Sequence, residues 1–370
     1  MRLAVSGDRV FLDRYRPMLQ ALAEHAHVDT VHTGNLSEWL PVRIYNRLTR
    51  GTRFHDRLVH GDPHPSNFAT RSRLAEKQIA RLTPLPDVLM HVFSSYAPQW
   101  KAEGPPYTLY LDYTMAQAKR EYPPWAEFHP PSGYARWARY ERTMYERARH
   151  IFTMTSATKA FLESDFGIDP ERITFVGSGG SYQDDHPGVK TFGTHRLFFD
   201  GSDWYRKGGD TLTGAFHLVR RTLPSATVVV VGGPAGENGA GIENPGLISD
   251  RGEMTRLFLA SDLVVAPARC DPMPGFVIEA MHYGVPCVVS AENGMASAVR
   301  ESGSGVVVED RSPEAYAAAI EALLRSPDRL QEMSANGRRM TAERLNWTFV
   351  AGAMLPGLKR AAGEGGRDGV

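Results

Sequence analysis

Two acids, Asp271 and Glu279, stand eight positions apart around a helix start in R-C-D-P-M-P-G-F-V-I-E-A-M-H-Y-G-V-P-C-V-V-S, residues 269–290. Asp271 falls in a loop with Pro272 and Pro274, and a short helix is expected from Gly275 to Tyr283. Gly284 and Pro286 stop it, since neither sustains a helix, and Cys287–Ser290 reads as a buried strand. A helix entered from a Pro/Gly loop leaves its first amides unpaired and the positive end of its dipole outward. Such an end suits a phosphate, and Gly275, Phe276 and Val277 would form it. One turn further in, Glu279 is placed to accept hydroxyls of a sugar ring beside that phosphate, with Asp271 at the same mouth.

The elements that must hold this stretch follow from the pattern of the chain. Its 370 residues exceed most single cores and suit two domains. Arg2–Ser6 reads as a strand ending at Gly7, followed by a helix near Arg16–His25 and a strand Val28–His32, so the chain opens β-α-β. No G-x-G-x-x-G follows the first strand, which argues against a dinucleotide site. Pro86–Phe93 and Tyr107–Leu111 are further strands; Asp112 follows the second at its carboxyl end, where α/β sheets place ligand groups. A helix over Gly133–His150 carries Trp137, Tyr140, Met144 and Ala148 on one stripe, expected to be core. Then come a strand Ile151–Thr155, a helix Ala157–Phe166 and a closing segment to Val176, with a linker over 178–193.

The second half restarts with a strand Arg196–Gly201, the run S-D-W-Y-R-K-G-G and a helix Asp210–Thr222. Thr227–Gly233 is a strand, Glu253–Ser261 a helix and Asp262–Pro267 the strand leading into Asp271. Helices are expected at Glu314–Leu324, Pro327–Met340 and Thr341–Met354, and a flexible tail over 361–370.

Acids, helix, G-x-P stop and strand fall in the register of the E-x7-E motif, and this run resembles the retaining GT-B glycosyltransferases of glycosyltransferase family 4. Asp271 stands where that family usually has Glu, a side chain longer by one methylene. The likeness is good over residues 150–350 and weak over 1–150. It implies two Rossmann-like α/β domains facing a cleft: an acceptor-side domain over 1–177, onto which a last helix at about 346–360 packs back, and a donor domain over 194–345. Asn346-Trp347 resembles the start of that helix. It implies a retaining transfer of a hexose from a nucleotide sugar to a hydroxyl acceptor, in cell-surface polysaccharide or glycoconjugate synthesis. Arg206 and Lys207 match a loop that clamps the donor pyrophosphate; cations aimed there stabilise a leaving group whose charge grows as the glycosidic bond breaks. Glu279 would hold the ribose hydroxyls and Asp271 those of the sugar. Gly201 and the backbone near Ile248 complete the donor side, and Gly7 and Asp112 are candidates in the first domain. Many relatives carry His where Asp112 stands. No cofactor and no metal are expected, because Arg and Lys take the metal's place. A 2-epimerase of the same fold and a non-catalytic sugar-nucleotide binder are the alternatives.

Net charge is zero, yet residues 1–150 hold 21 Lys and Arg against 15 acids, +6, and the remainder balances this at −6. Arg43, Arg47, Arg50, Arg53 and Arg57 would form a cationic helical face. Either a solvated face or a peripheral contact with an anionic membrane or lipid-linked acceptor accounts for it. No nucleic-acid partner is expected. His60–Asn67 (H-G-D-P-H-P-S-N) resembles the loop of small-molecule phosphotransferases related to choline and aminoglycoside kinases, but an Arg-rich helical segment follows where a second metal-binding Asp belongs. A polar surface loop is the expectation there. No run is long and apolar enough to span a membrane, and the N-terminus lacks a signal-peptide layout. With Cys270 and Cys287 the only cysteines, a reducing cytoplasm is expected.

Overall fold

A computed structural model of the chain describes residues 1–32, 64–100, 104–128, 130–181, 190–233, 239 and 241–363. It divides into two compact units, one of residues 1–177 with 350–370 and one of residues 178–349. Both are α/β, each on its own six-stranded parallel sheet.

In the first unit the elements run β1 (Arg2–Gly7), α1 (Arg9–Arg14), α2 (Arg16–Ala23), β2 (His27–His32), α3 (Pro65–Ile79), β3 (Val88–Val92), β4 (Tyr107–Leu111), α4 (Met115–Glu121), α5 (Ser132–Arg147), β5 (His150–Thr153), α6 (Ser156–Phe166) and β6 (Ile173–Phe175). The sheet order is β2-β1-β3-β4-β5-β6. Every residue of β3, β4 and β5 is buried, the signature of a parallel sheet covered on both faces. Thr114 and Thr155 cap α4 and α6, their hydroxyls accepting the amides of Gln117 and Thr158 at 3.0 Å. Trp137, Met144 and Ala148 lie in the core, with Tyr140 half-buried against Phe68.

Elements in this unit differ from the sequence expectation at several points. The helix of that aromatic stripe ends at Arg147, and His150 pairs with Thr108 as the first residue of β5. Of the expected polar loop over His60–Asn67, the described part is the start of α3: His64 caps it and Pro65 occupies its first turn, where its missing N–H costs nothing. Phe68 one turn later is fully buried and anchors the helix. His60–Pro63 and the arginines of 43–57 lie outside the described residues.

The second unit contains β7 (Arg196–Asp200), α7 (Trp204–Lys207), α8 (Gly209–Thr222), β8 (Thr227–Val231), β9 (Ile242–Gly246), α9 (Arg251–Ala260), β10 (Leu263–Ala266), α10 (Gly275–His282), β11 (Cys287–Ser290), α11 (Ala296–Ser302), β12 (Gly305–Val308), α12 (Pro313–Leu324) and α13 (Pro327–Glu343). Its sheet order, β12-β11-β10-β7-β8-β9, is that of a doubly wound dinucleotide-type domain, with the direction of winding reversing between β7 and β10. Both edge strands escape sequence reading. β9 is I-E-N-P-G, and a proline that cannot donate to a ladder is tolerated only at an edge. β12 is four residues long.

The helix expected over Thr341–Met354 is two elements. α13 stops at Glu343 and α14 (Trp347–Ala361) starts afresh. Asn346 makes the break: its amide nitrogen donates to the Thr341 and Ala342 carbonyls, and its amide oxygen accepts the Phe349 N–H at 2.8 Å. One side chain thus caps the end of one helix and the start of the next. From Val350 onward the helix belongs to the first unit, where Gly357 lets it approach His150 and Phe152.

Candidate functional site

Open α/β sheets bind ligands beyond the carboxyl ends of their strands, at the point where strand order reverses. In the second unit that point lies between β7 and β10, and four charged residues gather there. Asp200 ends β7, Arg206 and Lys207 form α7, and Asp271 follows β10 by five residues. The Lys207 ammonium is 2.7 Å from a carboxylate oxygen of Asp271 and 2.7 Å from one of Asp200. Arg206 donates from Nε to Asp203 at 2.8 Å and from Nη1 to the Cys270 carbonyl at 2.8 Å, with Asp271 Oδ1 at 3.5 Å. Asp200, Lys207 and Asp271 line a narrow pocket with Ala268, Pro274 and Phe276.

Local sequence explains the placement. The Arg-Lys pair sits on one turn of helix rather than in a loop; Asp203 caps it and Gly208 ends it. Gly208 has φ 79°, and a Cβ there would lie 2.0 Å from the Pro267 carbonyl oxygen, so only glycine lets α7 close onto β10. On the opposite side Gly294 packs on the Pro272 carbonyl, where a Cβ would lie 1.6 Å from the oxygen, and its N–H holds the Asp271 carbonyl at 2.8 Å. Arg269 staples the two pieces, forking onto Asp210 at 2.8 and 2.6 Å and covering the Tyr205 ring.

Burial disfavours the Lys207 charge, but the Asp271 and Asp200 carboxylates outweigh it and hold the pKa above the usual lysine value. For Asp200 burial pushes upward and Lys207 outweighs it, so its pKa falls below the ordinary carboxylate value. Lys207 and Asp200 therefore hold one another in their charged forms.

Glu279 lies one turn into α10, largely buried, 3.3 Å from Arg251. Burial raises its pKa, and the Arg251 guanidinium and the Ser181 backbone pull it back only in part. At the start of α10, the Val277 and Ile278 amides turn back to the Pro274 carbonyl. That leaves Gly275 and Phe276, the first two helical positions, as the outward donors. The Val277 side chain is fully buried, at the wall of the pocket that Asp200, Lys207 and Asp271 share. Gly201 follows β7 with its N–H on the Val231 carbonyl, and Ile248 packs half-buried against the core of the unit. Beside it Leu247 is 83% exposed.

The first unit reverses winding between β1 and β3. Gly7 ends β1 and packs against Val92. The chemistry there belongs to its neighbours. Asp8 pairs with Arg71 and accepts the Ser95 hydroxyl at 2.9 Å. Phe93, between the two strand ends, holds φ 67°, a strained conformation for a side-chain-bearing residue and one that clusters at binding sites. Buried Glu141 accepts Ser94 Oγ at 3.1 Å and the Met115 amide at 2.9 Å, bracing the loops after β3 and β4. Asp112 follows β4 with its carbonyl on Thr158 Oγ1 at 2.7 Å.

Of the residues singled out from sequence, Arg206, Lys207 and Asp271 come together here and Glu279 lies on the helix beside them; Asp200, Arg251, Asp8, Arg71 and Ser95 were not singled out. Asp200 was readable, as an acid at the carboxyl end of an apolar strand beside a glycine. Arg71 was not, because only the fold brings α3 to the end of β1. Among the described residues no cluster of three or more His, Cys, Asp or Glu is placed to hold a metal ion.

Residues 194–340 match the family described as glycosyl transferases, group 1. A D-inositol 3-phosphate glycosyltransferase of Rhodococcus erythropolis is 27% identical over 266 residues, covering 64% of this chain and 59% of the relative. The chain thus spans less than two thirds of that protein's length. Two solved structures share the fold. A sucrose-phosphate synthase from Thermosynechococcus elongatus superposes with a TM-score of 0.72 at 14% identity, over 98% of this chain and 100% of the other. The HepE protein of Anabaena, solved with UDP and glucose, gives 0.63 at 13% identity, over 97% and 99%.

Proposed function

We propose, from the match of residues 194–340 to the group 1 glycosyl transferases, that the chain moves a hexose from a nucleotide sugar to a hydroxyl acceptor, with retention at the anomeric carbon. The observation that carries this reading is the convergence of Arg206, Lys207 and Asp271 at the winding reversal of the second sheet, beside the free amides of α10. A nucleoside diphosphate leaving group gains negative charge as its bond to the sugar breaks. Two cations and two oriented amides already in place favour that charge most where it is greatest, in the transition state. Asp271 takes donor-sugar hydroxyls, Glu279 takes the ribose hydroxyls, and Leu247 and Ile248 cover the base. No metal takes part, since Arg206 and Lys207 supply the positive charge.

The acceptor lies at the reversal point of the first sheet, met by Asp8, Ser95 and Asp112. The Rhodococcus relative's name, with its phosphorylated polyol, makes inositol 3-phosphate the first acceptor to try. UDP with HepE makes uridine the first base. A role in cell-surface polysaccharide or glycoconjugate synthesis fits such chemistry, carried out on the cytoplasmic side and in peripheral contact with the membrane. No described helix is long and apolar enough to cross a membrane.

A thermal-shift screen with UDP, GDP, ADP and TDP sugars tests the donor assignment, followed by transfer assays in which the anomeric proton coupling of the product is read by NMR. Stabilisation by one nucleotide series and an unchanged anomeric configuration are expected. Stabilisation by none of them would remove the reading, and an inverted product would remove retention.

A further inference from the structure

On the first unit, away from the strand ends just described, a groove of about 440 Å³ is lined by Trp100, Arg136, Arg139, Tyr140, Thr143 and Arg147. Five of these six lie on α5 at positions 136, 139, 140, 143 and 147. Steps of three and four residues place them on one helical face. The sixth, Trp100, closes the groove from the loop between β3 and β4. Arg147 donates to the Trp100 carbonyl at 2.8 Å, and the Trp100 and Tyr140 rings meet edge to face at 4.6 Å.

Several arginines of the unit are paired with acids. Arg2, Arg16, Arg71, Arg120 and Arg142 each have a carboxylate within 4 Å. Arg136 and Arg139 have neither an acid nor a carbonyl partner among the described residues, and both are exposed. Around the groove Glu76 accepts the Trp100 amide, and Glu146 on the same helix pairs with Arg142. Stacking like charges a helical turn apart disfavours the helix by itself. Planar guanidinium forks above a half-buried aromatic floor match a phosphate attached to a small organic body. Each fork can donate twice to phosphate oxygens while the body lies on Trp100 and Tyr140.

We propose that this groove is a phosphomonoester site separate from the donor pocket, formed by Arg136, Arg139 and Arg147 over Trp100 and Tyr140. The ligand is a single phosphate group on a small polyol, free in solution or exposed at a lipid surface. The site does not depend on the glycosyltransferase reading, because none of its residues belongs to the donor or acceptor clusters.

The test uses the full chain and two probes. Glycerol 3-phosphate is titrated by calorimetry, and phosphatidylcholine vesicles with or without phosphatidic acid are used in co-sedimentation. Wild type is compared with Arg136→Ala/Arg139→Ala and Arg136→Lys/Arg139→Lys. These side chains are exposed, so the fold should persist, and unchanged UDP binding serves as the control. The alanine pair should weaken phosphate binding by about tenfold or more, the scale of one lost charge-assisted bond. The lysine pair should recover only part, since lysine keeps the charge but loses the fork. Binding to both probes assigns a phosphate from either source, and binding to phosphatidic acid vesicles alone assigns the lipid surface. Equal binding by wild type and the alanine pair, or no binding of either probe by wild type, overturns the proposal. Loss of UDP binding with phosphate binding intact would count against the donor assignment and leave this site standing.

Discussion

The Lys207 ammonium and the Asp271 carboxylate are 2.7 Å apart, so the cation assigned to the donor diphosphate is already engaged before any donor arrives. Asp200 grips the same nitrogen from the other side at 2.7 Å. An entering diphosphate must compete with Asp271 for Lys207 and Arg206, and the carboxylate it displaces is the one assigned to the sugar. Phosphate entry and sugar recognition are thereby exchanged at one residue.

This exchange gives Asp271→Asn opposite effects on two measurements. The amide keeps the shape and removes the charge that competes for the cations. UDP affinity by calorimetry should rise by about tenfold, on the order of one partly buried charge contact. Sugar transfer should fall, because an amide accepts the sugar hydroxyls more weakly than a carboxylate. UDP affinity unchanged or lowered would mean that Asp271 does not compete with the diphosphate.

Lys207→Ala should cost stability as well as activity. It leaves Asp200 and Asp271, both largely buried, facing one another without the cation between them. Removing one partner of a buried ion pair typically costs about 3–5 kcal/mol. A lower denaturation midpoint is expected, with part of the loss recovered in Lys207→Ala/Asp200→Asn, where one of the two charges is gone. Transfer should stay lost in both, by roughly 2–4 kcal/mol of barrier for one preorganised donor. Equal midpoints for the single and double variants would show that the two carboxylates do not repel across the gap.

Legibility in the sequence tracked how local each cause was. Cys287–Ser290 and Tyr107–Leu111 could be bounded to the residue because their apolar runs end at turn signals within a few positions. Lys207 and Asp271 could be named from motif spacing, though 64 residues separate them. Asp200 was open to such a reading as an acid at a strand end, but its pairing with Lys207, like that of Arg251 with Glu279, is visible only after β7, α9 and α10 are placed. β9 was missed because its proline argues against a strand unless the strand is known to be an edge. A helix start read from sequence does not say which amides turn back, so the engagement of the Val277 amide with the Pro274 carbonyl shows only in the structure.

Metal removal should leave the reaction intact if Arg206 and Lys207 carry the diphosphate charge. Transfer rates with and without EDTA should agree, and added magnesium or manganese should not raise them. A rate lost to EDTA and restored by either ion would assign the leaving-group charge to a metal instead.

His91 offers an acid-stability test in the first unit. It is fully buried with Nδ1 2.8 Å from Ser6 Oγ, and burial, aided by the Arg71 charge, lowers its pKa from 6.5 to about 3. A base with a depressed folded pKa lends stability above its unfolded value, and that stability is lost as pH falls. Unfolding monitored from pH 7 down toward pH 3 should therefore show a steeper decline for wild type than for His91→Asn. Parallel declines would mean that other groups govern acid unfolding.

Arg251 and Glu279 provide the clearest pH signature at the donor site. Burial holds the Glu279 pKa above its ordinary 4.5, and Arg251 at 3.3 Å opposes that rise. In stability terms a raised acid contributes below its unfolded value, and the contribution is lost as pH rises through the folded one. For donor binding the sign is reversed, because the ionised carboxylate is the better acceptor for ribose hydroxyls and affinity must fall as acid protonates it. Arg251→Ala removes the group that lowers the pKa. Glu279 then takes up its proton at a higher pH, and the acid limb of the UDP affinity profile should move upward by a measurable fraction of a pH unit. Glu279→Gln should abolish that limb and make the Arg251→Ala shift disappear in the double variant. An acid limb that stays in place in Arg251→Ala, or survives in Glu279→Gln, would place the titrating group elsewhere and withdraw Glu279 from the ribose.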